Sequence, residues 1–288
     1  MEIDWTIILS IGGAFGAAST AQYVSHRLTG KREDQKYKKE KYQKFYSPLV
    51  FKIIKYIEAE GSKMSKINRS LNPDPNLIFA SIITSVEENI QYANSDFIRI
   101  YEETKTLEMI VNSEDDDEDD PRRDFLDFRK FDSYLNAFEQ FFTDYLIISK
   151  DLKVLSSKLE GEVKQSIAII KLHKLFDKYC FFDTAAILFA FGNFIVNSRT
   201  VDIFIEDLDE VEEITDSNFK PYKQTGDIIH NDCFDELFTL LQKIMDMRPD
   251  LFKGTRHPLK DALREDIVFM NWRMGRRISI SRIDNFNC

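Results

Sequence analysis

The sequence predicts an all-α protein: a single N-terminal transmembrane helix followed by a helical cytosolic domain of about six to eight helices. Three observations lead there. A 20-residue stretch from Trp5 to Val24 carries no charge. The chain holds only 10 Gly and 7 Pro in 288 residues, too few for a turn-rich sandwich or a glycine-loop nucleotide fold. Phe is unusually common at 24 copies, and a run of them from Phe125 to Phe142 recurs at helical spacing.

The uncharged stretch comes first. At about 1.5 Å per residue it matches a hydrocarbon core of roughly 30 Å. Glu2 and Asp4 precede it, while His26, Arg27, Lys31, Arg32, Lys36, Lys38, Lys39, Lys41 and Lys44 follow. The positive-inside rule therefore puts the N-terminus outside and the bulk of the chain in the cytoplasm, as a single-pass cell-membrane protein. Trp5 and Tyr23 fall at the two interfaces. Two other readings compete. A cleaved signal peptide would use Ser19-Thr20-Ala21, but its leading region is acidic where a basic one is expected. A buried soluble helix would have to run straight into the lysine-rich stretch. Residues 1–25 are therefore assigned as the anchor. Within it, Gly12, Gly16, Gly13 and Ala17 at i, i+4 spacing allow close helix approach and a homo-oligomer through the membrane helix.

Residues 26–47 form the second unit, a basic juxtamembrane helix or stalk. Tyr42, Phe45 and Tyr46 share one face. Arg27, Lys31, Arg32, Lys36, Lys38 and Lys39 are the candidate contacts to anionic inner-leaflet lipid. The plainer reading of the same residues is a topology signal on a solvated face. Ser47-Pro48 interrupts the pattern and predicts a corner where the stalk meets the body, residues 48–288.

In the body, Leu49, Val50, Ile53, Ile54 and Ile57 mark a helix after Pro48. Asn72-Pro73-Asp74-Pro75 is a loop, and Leu77 to Val111 reads as one long helix. Seven consecutive carboxylates, Glu114 to Asp120, define an acidic loop at 113–121 that lacks the spaced ligands and central Gly of a calcium loop. Phe125, Phe128, Phe131, Leu135, Phe138, Phe142 and Tyr145 then stripe an amphipathic helix to about residue 150. A further helix spans Val163 to Tyr179. Thr184 to Val196 is apolar nearly all round and reads as the central core helix. Residues 200–216 alternate over too few positions to separate strand from loop, and 217–230 read as a loop. Helices resume at Phe234 to Met247 and from Pro258, where Leu259, Ala262, Leu263, Ile267 and Met270 share a face.

Charge is distributed unevenly along this order. Lys/Arg against Asp/Glu number ten to three over residues 26–55, 21 to 40 over 56–252, and eight to four over 253–288. The acidic bulk argues against nucleic-acid binding, which needs a coherent positive face. Cys180, Cys233 and Cys288 lie far apart, so neither a disulfide framework nor a zinc ribbon is expected. His230, Asp232 and Cys233 are the one compact ligand cluster, and it has no second His/Cys pair to complete a metal site.

No nucleophile elbow, His-Glu-x-x-His, phosphate loop or dinucleotide fingerprint occurs, so no catalytic, cofactor-binding or metal residues and no cofactor are assigned. The basic C-terminal residues Arg256, Lys260, Arg264, Arg273, Arg276 and Arg277 are the candidate anion or lipid contacts. Complementarity to the protein's own acidic middle is the plainer reading. The expected function is a membrane-tethered interaction or sensor domain, leaning non-enzymatic, with an unidentified protein partner. The alternatives are an oligomerising membrane-acting effector of the toxin or phage-defence type, and an enzyme whose active site is not recognisable from sequence.

Overall fold

In the computed structural model the described residues are 32–64, 73–113, 121–218, 234–252 and 258–273. The predicted anchor, the acidic run at 114–120 and the His230/Cys233 cluster lie outside them. The described residues are helical, with no strand among them.

The chain enters as α1, residues 32–41, which passes through a π turn at Tyr42–Tyr46 into α2, Ser47–Met64. These three segments make one unbroken rod, so the corner expected at Pro48 is absent. Proline lacks an amide hydrogen and crowds the carbonyl four residues back. Here the Ser47 amide donates to the Tyr42 carbonyl, five residues back, and this wider turn accommodates the proline without a break. The π turn also brings consecutive Phe45 and Tyr46 inward, both fully buried.

α3, Pro75–Asn89, starts on Asp74, whose carboxylate accepts the Asn76 amide at 2.9 Å, with proline in the first turn. The single long helix expected over 77–111 is broken. A 3-10 turn at Ile90–Tyr92 and extended Ala93 separate α3 from α4, Ser95–Ser113. Asn94 explains the break: its side chain accepts the Ser95 amide and donates to Asp144, while its carbonyl begins the α4 ladder at Ile98. Asn94-Ser95-Asp96 is a capping sequence that apolar periodicity alone passes over.

α5, Pro121–Asp151, is the predicted aromatic helix, and buries Tyr134, Leu135, Phe138, Phe141, Phe142, Tyr145 and Ile148 along one stripe. It runs antiparallel to α4, with Glu108 paired to Lys130 and Thr104 bonded to Ser133. α6, Ser157–Lys178, is capped by Ser156 and ends in a left-handed turn at Cys180, φ 67°. α7, Phe182–Ile195, is the expected central helix: it packs against α2, α6 and α11. Its contact with α6 is tight at Gly192, where an added Cβ would sit 2.8 Å from Ile169.

Residues 201–218, undecided between strand and loop in the sequence, form helix α8, Val201–Asn218. Val201, Phe204 and Leu208 bury its inner face. α9, Asp235–Met247, the short α10, Pro249–Phe252, and α11, Pro258–Arg273, complete the described body. Its nine helices of 13 residues or more exceed the six to eight expected, because 77–111 divides and α8 is helical.

Candidate functional site

Two polar assemblies stand out from this core. The first is the seam between α1 and the body. Lys38 pairs with Asp151 at 2.5 Å, Lys41 donates to the Ala93 carbonyl at 3.4 Å, and Lys44 reaches Glu40 at 2.9 Å and the Tyr92 hydroxyl at 2.7 Å. Beneath them lies a groove of about 260 Å³ floored by Asp144, Tyr46 and Asn94, with Tyr37 and Ile147 at its exposed edge. Asp144 is buried and takes bonds from Asn94 and Gln140 through one oxygen. Burial raises its pKa above the ordinary carboxylate range, against the pull of those two donors.

The other basic residues of α1 behave differently. Arg32, Lys36 and Lys39 are exposed and meet no hydrogen-bond or ion-pair partner among the described residues. Of the sequence-predicted lipid contacts, the structure therefore separates Lys38, engaged with the body, from Arg32, Lys36 and Lys39, which are not. Arg27 and Lys31 lie outside the described residues, as do Gly12, Gly13, Gly16 and Ala17.

The second assembly is Asp132, His173 and Asp177, where α5 crosses α6. His173 is fully buried, its Nε2 lies 2.7 Å from the Asp132 carboxylate, and Phe131 and Phe189 meet its ring edge-to-face. Asp177 stands one turn along α6, with a buried carboxylate oxygen that has no hydrogen-bond partner among the described residues. Burial and the neighbouring Asp132 charge push Asp177 up to about 7, while His173 and Arg129 pull the other way. A carboxyl held near neutrality next to a buried imidazole has the elements of a proton-exchanging group.

The sequence reading did not single out this assembly. Asp132 lies amid the phenylalanine stripe and His173 on an otherwise apolar face, so each reads as an isolated polar residue. Only the crossing of two helices 41 residues apart in sequence joins them. Among the described residues no group of three or more His, Cys, Asp or Glu is arranged to hold a metal ion.

The basic C-terminal set is only partly described. Lys260 is half-buried and Arg264 exposed on α11, and Arg273 ends that helix. Arg256, Arg276 and Arg277 are outside the described residues, and α11 itself starts at Pro258, after Arg256. A polar groove of about 380 Å³, edged by Glu103, Asn136, Glu139 and Lys174, lies between α4, α5 and α6. No protein-family model matches the chain, no curated protein matches it, and no solved structure matches its fold.

Proposed function

We propose that the chain is a membrane-tethered helical interaction or sensor domain, held at the cytoplasmic face by residues 5–24 and acting through a protein partner. The observation that carries this reading is the rod formed by α1, the π turn and α2. One end of the rod follows the uncharged stretch by eight residues, and the other end buries Ile53, Ile54 and Ile57 in the core. From residue 32 onward the chain enters the body as continuous helix, so a pull on that end is passed to the core without a slack linker within the described residues. Tethering also raises the local concentration of a weak-binding surface. Among the described residues no helix is long and apolar enough to cross a membrane, so the tether rests on residues 5–24 alone.

Asp132, His173 and Asp177 are the observation that favours an enzyme as the second reading. His173 is fully buried beneath Phe131 and Phe189, which suits a core histidine better than a group that meets substrate. The non-enzymatic reading is therefore kept.

Membrane fractionation with carbonate extraction tests the proposal, comparing the full chain with one that begins at Lys31. The expected result is a full chain retained in the membrane and a shortened chain that is soluble and helical. A full chain released by carbonate overturns the reading and removes the effector alternative with it. If the chain is retained, Gly12→Leu and Gly16→Leu separate the remaining two: loss of membrane leakage with folding intact would favour the effector.

A further inference from the structure

The basic stretch of α1 is divided by the fold into two faces. At about 100° of turn per residue, Arg32, Lys36 and Lys39 fall within roughly 60° of arc, at i, i+4 and i+7. Lys38 and Lys41 fall on the opposite side of the same helix, where they bind Asp151 and the Ala93 carbonyl. The body thus occupies one face and consumes its cations, while the other face presents three exposed cations in line. Glu40, the carboxylate nearest that line, is paired with Lys44 at 2.9 Å and also feels the Lys36 charge, and exposed Glu33 borders the same side, so the line is flanked by two carboxylates but pairs with neither. Gln43 continues the line, exposed and uncharged.

We infer that the Arg32, Lys36 and Lys39 face of α1 lies along an anionic phospholipid surface, with the body seated on the far side of the helix. This rests on the tethering proposed above. Three features favour lipid as the occupant. The stripe begins eight residues after the uncharged stretch ends at Val24, a separation of at most about 28 Å, so a chain anchored there keeps it in the neighbourhood of the headgroups. The stripe runs about 10 Å along the helix axis, comparable to the Debye length at physiological salt. A helix standing upright would lift Lys39 out of the anionic layer, whereas one lying flat keeps all three cations within it. Finally, the side chains are long and flexible, suited to a fluid surface of like headgroups rather than to one fixed carboxylate.

The test is amine acylation of the full chain in lipid nanodiscs, either neutral or containing about one-third anionic phospholipid, read residue by residue by mass spectrometry. Lys36 and Lys39 are expected to react several-fold more slowly in the anionic discs, with full reactivity returning at high salt. Lys38, already held by Asp151, and Lys158, 88% exposed on α6, serve as internal references and are expected to respond little to lipid charge. Arg32→Glu leaves both reporter lysines in place and is expected to remove most of their protection. Reactivity of Lys36 and Lys39 that ignores lipid charge, or a fall shared equally by Lys38, overturns the inference while leaving the tether standing. A full chain that carbonate releases from the discs overturns both. The wild-type comparison between lipids decides the question even if Arg32→Glu fails to fold.

Discussion

Cys180 ends α6 with φ at 67°, and the Phe181 amide donates to the Phe176 carbonyl while the Cys180 amide donates to the Asp177 backbone carbonyl. These two bonds are the paired closure that a left-handed residue allows, and glycine adopts that conformation without the Cβ clash. Cys180→Gly is expected to stabilise the protein by about 0.5–1 kcal/mol, read as a higher urea midpoint at unchanged slope. A second residue of consequence is Asp266 on α11. Its two oxygens accept the Asp183 and Thr184 amides at 3.0 and 2.8 Å, capping α7 from a helix more than 80 residues away. Phe181, at the cap position itself, offers no side-chain acceptor. Asp266→Ala leaves two amides of the central helix without that acceptor and is expected to cost about 1–3 kcal/mol. Asp266→Asn, which keeps one oxygen acceptor, is expected to cost less. Equal losses in the two variants would show that the cap bonds do not set the effect.

At the scale of elements, α6 and α8 are joined by a repeating ladder. Lys164 meets Asp202 at 2.8 Å, Lys171 meets Asp209 at 2.5 Å, and Lys178 meets Asp216 at 2.7 Å. Each helix supplies its partner every seventh residue, and the constant offset means that the two helices run parallel and in direct contact, with α7 connecting them in sequence. Single exposed pairs contribute little, about 0–1 kcal/mol, so the ladder sets register more than stability. Lys171→Glu is expected to lower stability by about 1 kcal/mol by facing Asp209 with a like charge, and the double variant with Asp209→Lys is expected to recover most of it. A double-mutant cycle in urea measures the coupling, and an additive result would remove the ladder as a register device. The two heptad series are visible in the sequence once sought, but only against each other. In 200–216 the alternation of Val201, Ile203 and Ile205 competes with the helical spacing of Val201, Phe204, Leu208 and Val211, and the pattern alone does not choose between them.

For the whole molecule, the buried carboxyls set the dependence of stability on pH. Asp177 is raised to about 7 and Asp266 to about 6, each first by burial. Groups raised in the folded state bind protons more tightly there than when unfolded. Their contribution is complete below the ordinary carboxylate value and is lost as pH rises through about 6 to 7. Glu108 acts in the opposite sense: burial raises it, but bonds from Lys130, Lys105 and Tyr134 outweigh burial and hold it at about 2. Its contribution is present above its ordinary value and lost as pH falls towards 2. The thermal midpoint is therefore expected to be highest near about pH 4 and to fall towards pH 7. Asp177→Asn is expected to flatten the fall between roughly pH 4 and 7. A wild-type midpoint that rises across that range would contradict the assignment of Asp177 as the raised group.

The periodic elements were legible in the sequence because their causes are local. The stripe of α5, the core position of α7 and the face of α11 carrying Leu259, Leu263, Ile267 and Met270 each follow from residues a few places apart on one helix. The separation of a basic segment from an acidic body was equally open to reading, since charge order needs no coordinates. Packing decided the rest. Pro48 passes smoothly because a π turn forms where Phe45 and Tyr46 are drawn into the core. His173 meets Asp132, and Asp266 caps α7, because helices far apart in sequence cross at those points. The division of α1 into a spent face and a free one depends on which side the body occupies. Each of these is a relation between elements, and a side-chain pattern records which face of a helix is apolar without recording what will cover it.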